Sequence, residues 1–367
     1  TIPEMQLAME QGRVTSREIV AAYLERIGLY ESLLIAAITV NHRALAEAEE
    51  RDRERAAGMV RGPLHGIPIA LKDNIQTTDL PTTGGALAFR NFYPPYEATL
   101  VRNLREAGAI IIAKTGMTEL ANWVASGMPG NYNALTGFAI NPYDPRPDPR
   151  PEFADGRPVM PTGGSSSGVG TAANLWAANV GTETDGSILA AANQTMLVGI
   201  KPTVGRVSRH GVMPITLDQD TPGPMARTVT DAAILLGVLE GSAPDPEDVA
   251  TMRCERPPSG SYLPYLNPDG LRGARIGIPR AFFYHPIAVP GTGIPRGGLS
   301  TDVLAVMEEA IAILREAGAI VIDPVEIPSV VTSDPNEHFA LWPICSGAAG
   351  ARGADQACSS VLKYGMK

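Results

Sequence analysis

GGSSSG at 163–168 and GTETDGSI at 181–188 delimit the segment from Gly163 to Ile188, around which the rest of the chain is organised. Both motifs predict turns that carry serines, because the first is too rich in glycine and serine for a regular element and the second sets Ser187 directly after Asp-Gly. Backbone amides can converge on a small anion at such turns, as acyl transfer requires. Residues 169–178, rich in small and apolar side chains, predict a buried helix between the turns. Taken alone, GGSSSG is more typical of a mobile loop.

A third element lies upstream, where the apolar segment 67–71 predicts a strand that ends at Lys72. The ammonium group of lysine is costly to desolvate, so burial lowers its pKa toward the range where it can act as a base. An isolated lysine is usually solvated instead. The interpretation of Lys72 as a base therefore depends on the two serine turns that follow it.

In this order, Lys72 and the two serine turns resemble the amidase signature family. The resemblance continues through GIKPTVGRVSR at 199–209 and DTPGPMARTVTD at 220–231, and it covers nearly the whole chain. The sequence Asp-Gly-Ser before Ile188 is similar to that of the bacterial peptide amidases. The family implies an α/β fold with a large mixed, mostly parallel β-sheet covered by helices on both faces. It also implies a single domain over residues 1–367, which looks C-terminally incomplete because family members usually run on further.

The resemblance implies an amidohydrolase that cleaves a carboxamide C–N bond through an acyl-enzyme. Ser187 matches the acylated nucleophile, Ser165 the serine in a cis peptide that relays the proton, and Lys72 the base. The backbone amides of Thr184, Asp185, Gly186 and Ser187 match the turn that binds the oxyanion. Hydrolysis of a stable amide needs a nucleophile, a base that later acts as an acid, and donors for the oxyanion.

The spacing of the two serines departs from the family. Ser187 follows Ser165 by 22 positions, about two fewer than is usual, so the register of Ser165 is less secure than that of Ser187. We place the loss after Gly170, which keeps Ser165 as the relay and makes Ser166 its neighbour at the substrate. A cis bond is expected before Ser165 or Ser166. Asn131, in the loop 127–133, is a further candidate for lining the pocket.

Three other functions are considered. GSSSG also fits the G-x-S-x-G elbow of α/β-hydrolases, with Ser166 as nucleophile, but the prolines at 158 and 161 make a poor preceding strand. An A subunit of glutamyl-tRNA amidotransferase would share the triad. Such enzymes, which act on carboxylate-bearing substrates, often have Arg where this chain has Leu189. The third alternative is a catalytically dead binding module of the same fold.

For the amidohydrolase, the expected substrates are neutral amides or C-terminally amidated peptides, which release ammonia.

Composition limits the partners. The net charge of −9 argues against nonspecific nucleic-acid binding, and no apolar run is long enough to predict a membrane span. Cys254, Cys345 and Cys358 lie far apart without CxxC spacing, so neither a zinc site nor a disulfide is expected. A reduced, cytoplasmic compartment follows, with secretion by a removed signal peptide as the alternative.

Ala113 stands where a phosphate-binding loop requires glycine, so no nucleotide or other cofactor is expected. A monomer or homodimer that binds a small amide or peptide amide is expected.

Overall fold

A computed structural model describes residues 1–122 and 128–341. These residues pack into two compact units, Thr1–Leu263 and the residues from Pro264 onward. The first unit contains the large apolar core, and the second has a smaller core around Ile278, Tyr284 and Ile311. One domain over 1–367 stays a prediction.

The α-helices are short to medium in length and several carry the caps that their sequences predict. Thr15 caps its helix by accepting from the backbone N–H of Glu18, and Glu18 bonds back to the amide of Thr15. The α-helices among the described residues are α1 Ile2–Glu10, α2 Ser16–Leu34, α3 Ala44–Ala56, α4 Thr99–Glu106, α5 Ser167–Ala172, α6 Leu189–Gln194, α7 Val229–Glu240, α8 Thr301–Glu316 and α9 Pro328–Val331.

Within residues 1–122 and 128–341, the strands form one central sheet and three two-stranded pairs. In chain order the strands are β1 Ala37–Val40, β2 Pro68–Lys72, β3 Ile110–Thr115, β4 Tyr132–Asn133, β5 Gly137–Phe138, β6 Ala178–Glu183, β7 Val198–Gly199, β8 Thr221–Ala226, β9 Arg275–Gly277, β10 Ile287–Ala288, β11 Pro295–Arg296 and β12 Ile320–Ile322. The pairs are β4 with β5, β9 with β12, and β10 with β11.

The central sheet has six strands in the order β1-β3-β2-β6-β8-β7. Strand β2 runs parallel to β3 and β6. Strand β1 runs antiparallel to β3, strand β8 antiparallel to β6, and strand β7 antiparallel to β8. Strands β2, β3, β6 and β7 therefore share one direction, which confirms the predicted α/β fold with a mixed, mostly parallel sheet. Every residue of β2, β3 and β6 is buried, as expected for strands at the centre of such a sheet.

The parallel pairing of β2 with β6 positions the candidate site. Leu71 lies opposite Val180 in this ladder, so the carboxyl ends of both strands, with Lys72 and Glu183, lie at the same edge of the sheet. The predicted helix over 169–178 is wrong in its second half. Helix α5 ends at Ala172, Asn174 adopts a left-handed conformation with φ of 58°, and Ala178 already belongs to β6. Asn tolerates this conformation better than most residues.

No α-helix within residues 1–122 or 128–341 is both long and apolar enough to cross a membrane.

Candidate active site

Lys72 is the fully buried end of β2. Its side chain is 1% exposed, and its Nζ donates to the carbonyl oxygen of Thr182 at 2.9 Å. Burial lowers the pKa of Lys72 to about 7, because the charged amine loses its hydration, while the carboxylates of Asp220 and Glu183 act in the opposite direction. A substantial fraction of Lys72 is therefore neutral near pH 7, as a general base must be.

Ser165 donates a hydrogen bond to the same acceptor as Lys72. Its Oγ donates to the carbonyl oxygen of Thr182 at 3.1 Å, and the residue is fully buried. One backbone oxygen on β6 thus holds the amine and the hydroxyl next to each other. The structure brings these two predicted residues together.

Ser187 is held next to the GGSSSG turn by the backbone. The N–H of Ser165 donates to the carbonyl oxygen of Ser187 at 3.1 Å. A Cβ added to Gly164 would overlap Ser187 Oγ and lie 3.1 Å from its Cβ, so the two turns approach closely at this glycine. Within the part of the chain that is described, Ser187 Oγ has no hydrogen-bond partner, and the residue is partly exposed. The structure therefore leaves the predicted nucleophile accessible.

The predicted cis peptide is wrong. All bonds from Gly163 to Ser167 are trans, and the described residues contain one cis bond, at Asp323–Pro324. A non-proline cis bond costs about 2.5–4 kcal/mol. In the trans backbone the N–H of Ser165 bonds to Ser187 and its hydroxyl bonds to Thr182, so these hydrogen bonds form without that cost.

Glu183 organises the turn that carries Ser187. Its carboxylate, 4% exposed, accepts from the backbone N–H groups of Gly186, Ile188 and Leu189 at 2.7–2.8 Å. The amide of Gly186, predicted to bind the oxyanion, donates to this buried carboxylate in the structure, and its contact with an oxyanion stays a prediction. In the described chain, the amides of Thr184, Asp185 and Ser187 donate to no other residue, and these three remain candidates for the oxyanion.

Asp220 holds the same turn from its other side. Its Oδ1 accepts from the hydroxyl of Thr184, and its Oδ2 accepts from the amides of Ile215 and Thr216 at 2.7 and 2.9 Å. The turn between β6 and α6 is thus tied at both ends by acidic side chains. Asp185, between them, is exposed to solvent.

Two residues predicted to contact the substrate have partners within the protein, and their contact with substrate stays a prediction. Ser166 is fully buried, and its hydroxyl contacts Thr162 Oγ1 at 3.3 Å and the carbonyl of Gly163 at 3.4 Å. Asn131 is 5% exposed; its backbone N–H donates to Thr118 Oγ1 at 2.7 Å, and its Nδ2 donates to the carbonyl of Ala139. Both side chains stabilise their own loops. Gly127, in the same predicted loop as Asn131, lies outside the described residues.

A cavity of about 630 Å³ lies beside Asp220, the residue that bonds to Thr184 in the turn of Ser187. It reaches Asn74 and Asp220, which also line a narrow crevice with Thr182 and Thr184. Its apolar lining comes from the side chains of Phe89, Phe92, Tyr96, Met117, Leu120, Val212, Met213 and Leu217. Its charged groups are Arg209, Asp220, Glu247 and Asp248, of which Arg209 and Asp248 pair at 2.5 Å. The cavity therefore suits a largely apolar group that carries no negative charge.

Sequence reasoning assigned no role to Glu183, Asp220 or the carbonyl of Thr182. A carboxylate at the end of a buried strand was the available signal for Glu183, since such a group requires partners. No sequence signal marks a backbone carbonyl as a shared acceptor, because that depends on how β2 and the GGSSSG turn meet β6.

The model of the Amidase family matches residues 18–356. A probable amidase of Arabidopsis thaliana is 38% identical over 93% of this chain and 62% of its own length. The A subunit of the glutamyl-tRNA(Gln) amidotransferase of Chloroflexus aurantiacus is 34% identical over the whole chain and 67% of its own length.

Among solved structures, the peptide amidase of Stenotrophomonas maltophilia is 40% identical with a TM-score of 0.77, over 89% of this chain and 61% of that one. That enzyme has also been solved with the competitive inhibitor chymostatin. This chain thus spans about three fifths of the length of the Arabidopsis relative and of the peptide amidase. The extent of the family match, together with these identities, shows that the chain belongs to the amidase family.

Proposed function

We propose that this protein hydrolyses carboxamides through an acyl-enzyme on Ser187, with Lys72 as the base and Ser165 as the proton relay. The observation that carries this proposal is the shared acceptor: Lys72 Nζ and Ser165 Oγ both bond to the carbonyl of Thr182, and Ser165 is bonded through its backbone to Ser187. A neutral amine that donates one N–H to Thr182 keeps a lone pair for the serine proton.

The reaction follows from these positions. Ser187 Oγ attacks the amide carbon and passes its proton to Ser165, while Ser165 passes its own to Lys72. The amides of Thr184, Asp185 and Ser187 are available to stabilise the oxyanion. Collapse of the tetrahedral intermediate breaks the C–N bond, and the proton held by Lys72 returns through Ser165 to the leaving nitrogen. Water then attacks the ester by the same route and releases the carboxylate.

The substrates we propose are neutral, largely apolar amides, including C-terminally amidated peptides. Leu189, the residue after Ile188, is 48% exposed and offers no cation to a substrate carboxylate. A carboxylate desolvated there would lose the partner that offsets its burial. The apolar lining of the cavity and its excess of acidic groups support the same preference. The similarity to a peptide amidase agrees with it.

The test is ammonia release from a matched series: an amidated dipeptide, a simple apolar amide, and free glutamine. We expect the amidated dipeptide and the apolar amide to be hydrolysed with a higher kcat/KM than glutamine. A Ser187→Ala variant should release no ammonia and form no acyl adduct. An adduct on Ser166 in the wild-type protein would contradict the assignment.

The second candidate is an amidotransferase A subunit, because the one from Chloroflexus aurantiacus aligns over this whole chain. It predicts the opposite order in the same series, with glutamine as the preferred ammonia donor. Faster release from glutamine than from the amidated dipeptide would favour this candidate over the first.

A further inference from the structure

A second buried lysine lies behind the site, one strand away from Lys72. Lys114 on β3 lies opposite Leu71 of β2 and is fully buried. Its Nζ lies 3.4 Å from Oδ1 of Asp73, which is also fully buried. Burying a single charged group costs free energy, so a buried ion pair needs both the opposite charge and further hydrogen bonds to stabilise it.

Both members of the pair bond to residues of the segment 73–85, which begins at Asp73 itself. Lys114 Nζ donates to the hydroxyl of Thr82 at 2.8 Å and to the carbonyl of Pro81 at 3.1 Å. Oδ2 of Asp73 accepts from the amide and the hydroxyl of Thr83. The segment thus folds back from the end of β2 onto this one ion pair.

The same segment forms one wall of the cavity. Asn74, Gln76 and Gly84 line it. The amide of Gly84 donates to the carbonyl of Asp73 at 3.3 Å, and the carbonyl of Gly84 accepts from the amide of Leu120 at 2.7 Å. Leu120 is itself a lining residue. Contacts therefore run from the buried pair through Gly84 to the apolar part of the cavity.

The geometry points to Lys114 and Asp73 as a positioning pair that fixes the cavity wall and so determines how well the enzyme distinguishes long apolar amides from short ones. This inference rests on the proposed function. The pair contacts neither Lys72 Nζ nor either candidate serine among the described contacts. Its loss should therefore impair the recognition of the apolar group more than the chemical step.

Two amides separate recognition from chemistry: acetamide, with one carbon beyond the carbonyl, and hexanamide, with five, whose longer chain we expect to contact the wall. In Lys114→Met we expect the ratio of kcat/KM for hexanamide to that for acetamide to fall about 10-fold, mainly through KM of hexanamide. Lys201→Met, the same substitution at a lysine that has no role in the site, should leave the ratio unchanged. A purely structural role would lower both rates in parallel and leave the ratio constant.

Hydrogen exchange supplies a readout that does not depend on activity. Backbone amides in 73–85 and at Leu120 should exchange faster in Lys114→Met than in Lys201→Met, while α7 stays protected. If Lys114→Met does not fold, the double variant Lys114→Met/Asp73→Asn removes both buried charges and takes its place. An unchanged ratio in a folded variant would overturn the inference, whether or not exchange in 73–85 is faster. Failure of the wild type to release ammonia from any amide would instead overturn the proposed function, and the exchange experiment would still test whether the pair fixes segment 73–85.

Discussion

At the scale of single residues, the ionisation of Lys72 controls when the site is competent. Because burial lowers its pKa to about 7 and the neutral amine is the active form, the rate should rise with pH through about 7. We expect this ascending limb in the pH profile of kcat/KM for wild-type protein and its disappearance in Lys72→Met, along with most of the activity. A limb that survives in Lys72→Met would assign it to another group.

The same ionisation couples stability to pH. Folded Lys72 loses its proton near pH 7 and unfolded lysine near its ordinary value of about 10.4, so between these values the unfolded chain binds more protons. Lys72 therefore contributes a free energy of unfolding that rises with pH from about 7 to about 10, at roughly 1.4 kcal/mol per pH unit at most. Urea titrations of wild type and Lys72→Met should show this rise to be smaller in the variant. Parallel curves would contradict the buried, mostly neutral state.

Glu183 should affect both the geometry of the turn that carries Ser187 and the pKa of Lys72. In Glu183→Gln an NH₂ group replaces one of the two oxygens that accept from the turn, which leaves backbone donors without an acceptor and costs about 1–3 kcal/mol. We expect kcat to fall at least about 10-fold. Since the Glu183 charge raises the pKa of Lys72, the ascending limb should also move to lower pH.

The control for this variant is Glu247→Gln, which removes one exposed carboxylate of the cavity and should shift the limb little. A loss of kcat in Glu183→Gln without any shift of the limb would leave Glu183 with a structural role only.

At the scale of elements, helix α5 holds the GGSSSG turn against β6 and depends on close packing with Trp176. Gly170 faces the fully buried Trp176 ring, and an added Cβ would overlap it. Gly170→Ala should therefore destabilise the protein by about 1–3 kcal/mol and lower activity by displacing Ser165. Gly28→Ala is the matched change in α2, where an added Cβ meets no atom within 4 Å. It should stabilise the protein by about 0.5–1 kcal/mol. Thermal unfolding of both variants checks the pair, and equal effects would contradict the packing argument.

At the scale of the whole molecule, all the candidate catalytic residues belong to Thr1–Leu263, whereas the residues from Pro264 onward have a separate core. Ile311 is 1% exposed in that second core, so Ile311→Ala should destabilise its unit by about 2–5 kcal/mol. Hydrogen exchange should accelerate in α8 and β12, while the ascending limb of the pH profile stays at its wild-type position. A shift of the limb in this variant would mean that the second unit influences Lys72.

The α/β class and capped helices such as α2 could be predicted from the amino-acid sequence, as could the candidate residues Lys72, Ser165 and Ser187, because residue types, periodicity and caps are local properties. The contacts of these residues depend on how the chain packs. Thr182 is 110 residues from Lys72 in the chain. Its carbonyl becomes the shared acceptor of Lys72 and Ser165 only through the parallel pairing of β2 with β6. The Lys114–Asp73 pair likewise arises where distant segments meet, whereas the contacts of Glu183 with the amides of Gly186, Ile188 and Leu189 lie within one turn. No local pattern specifies a contact between such segments, since its free energy depends on which backbone groups the packed sheet leaves without partners.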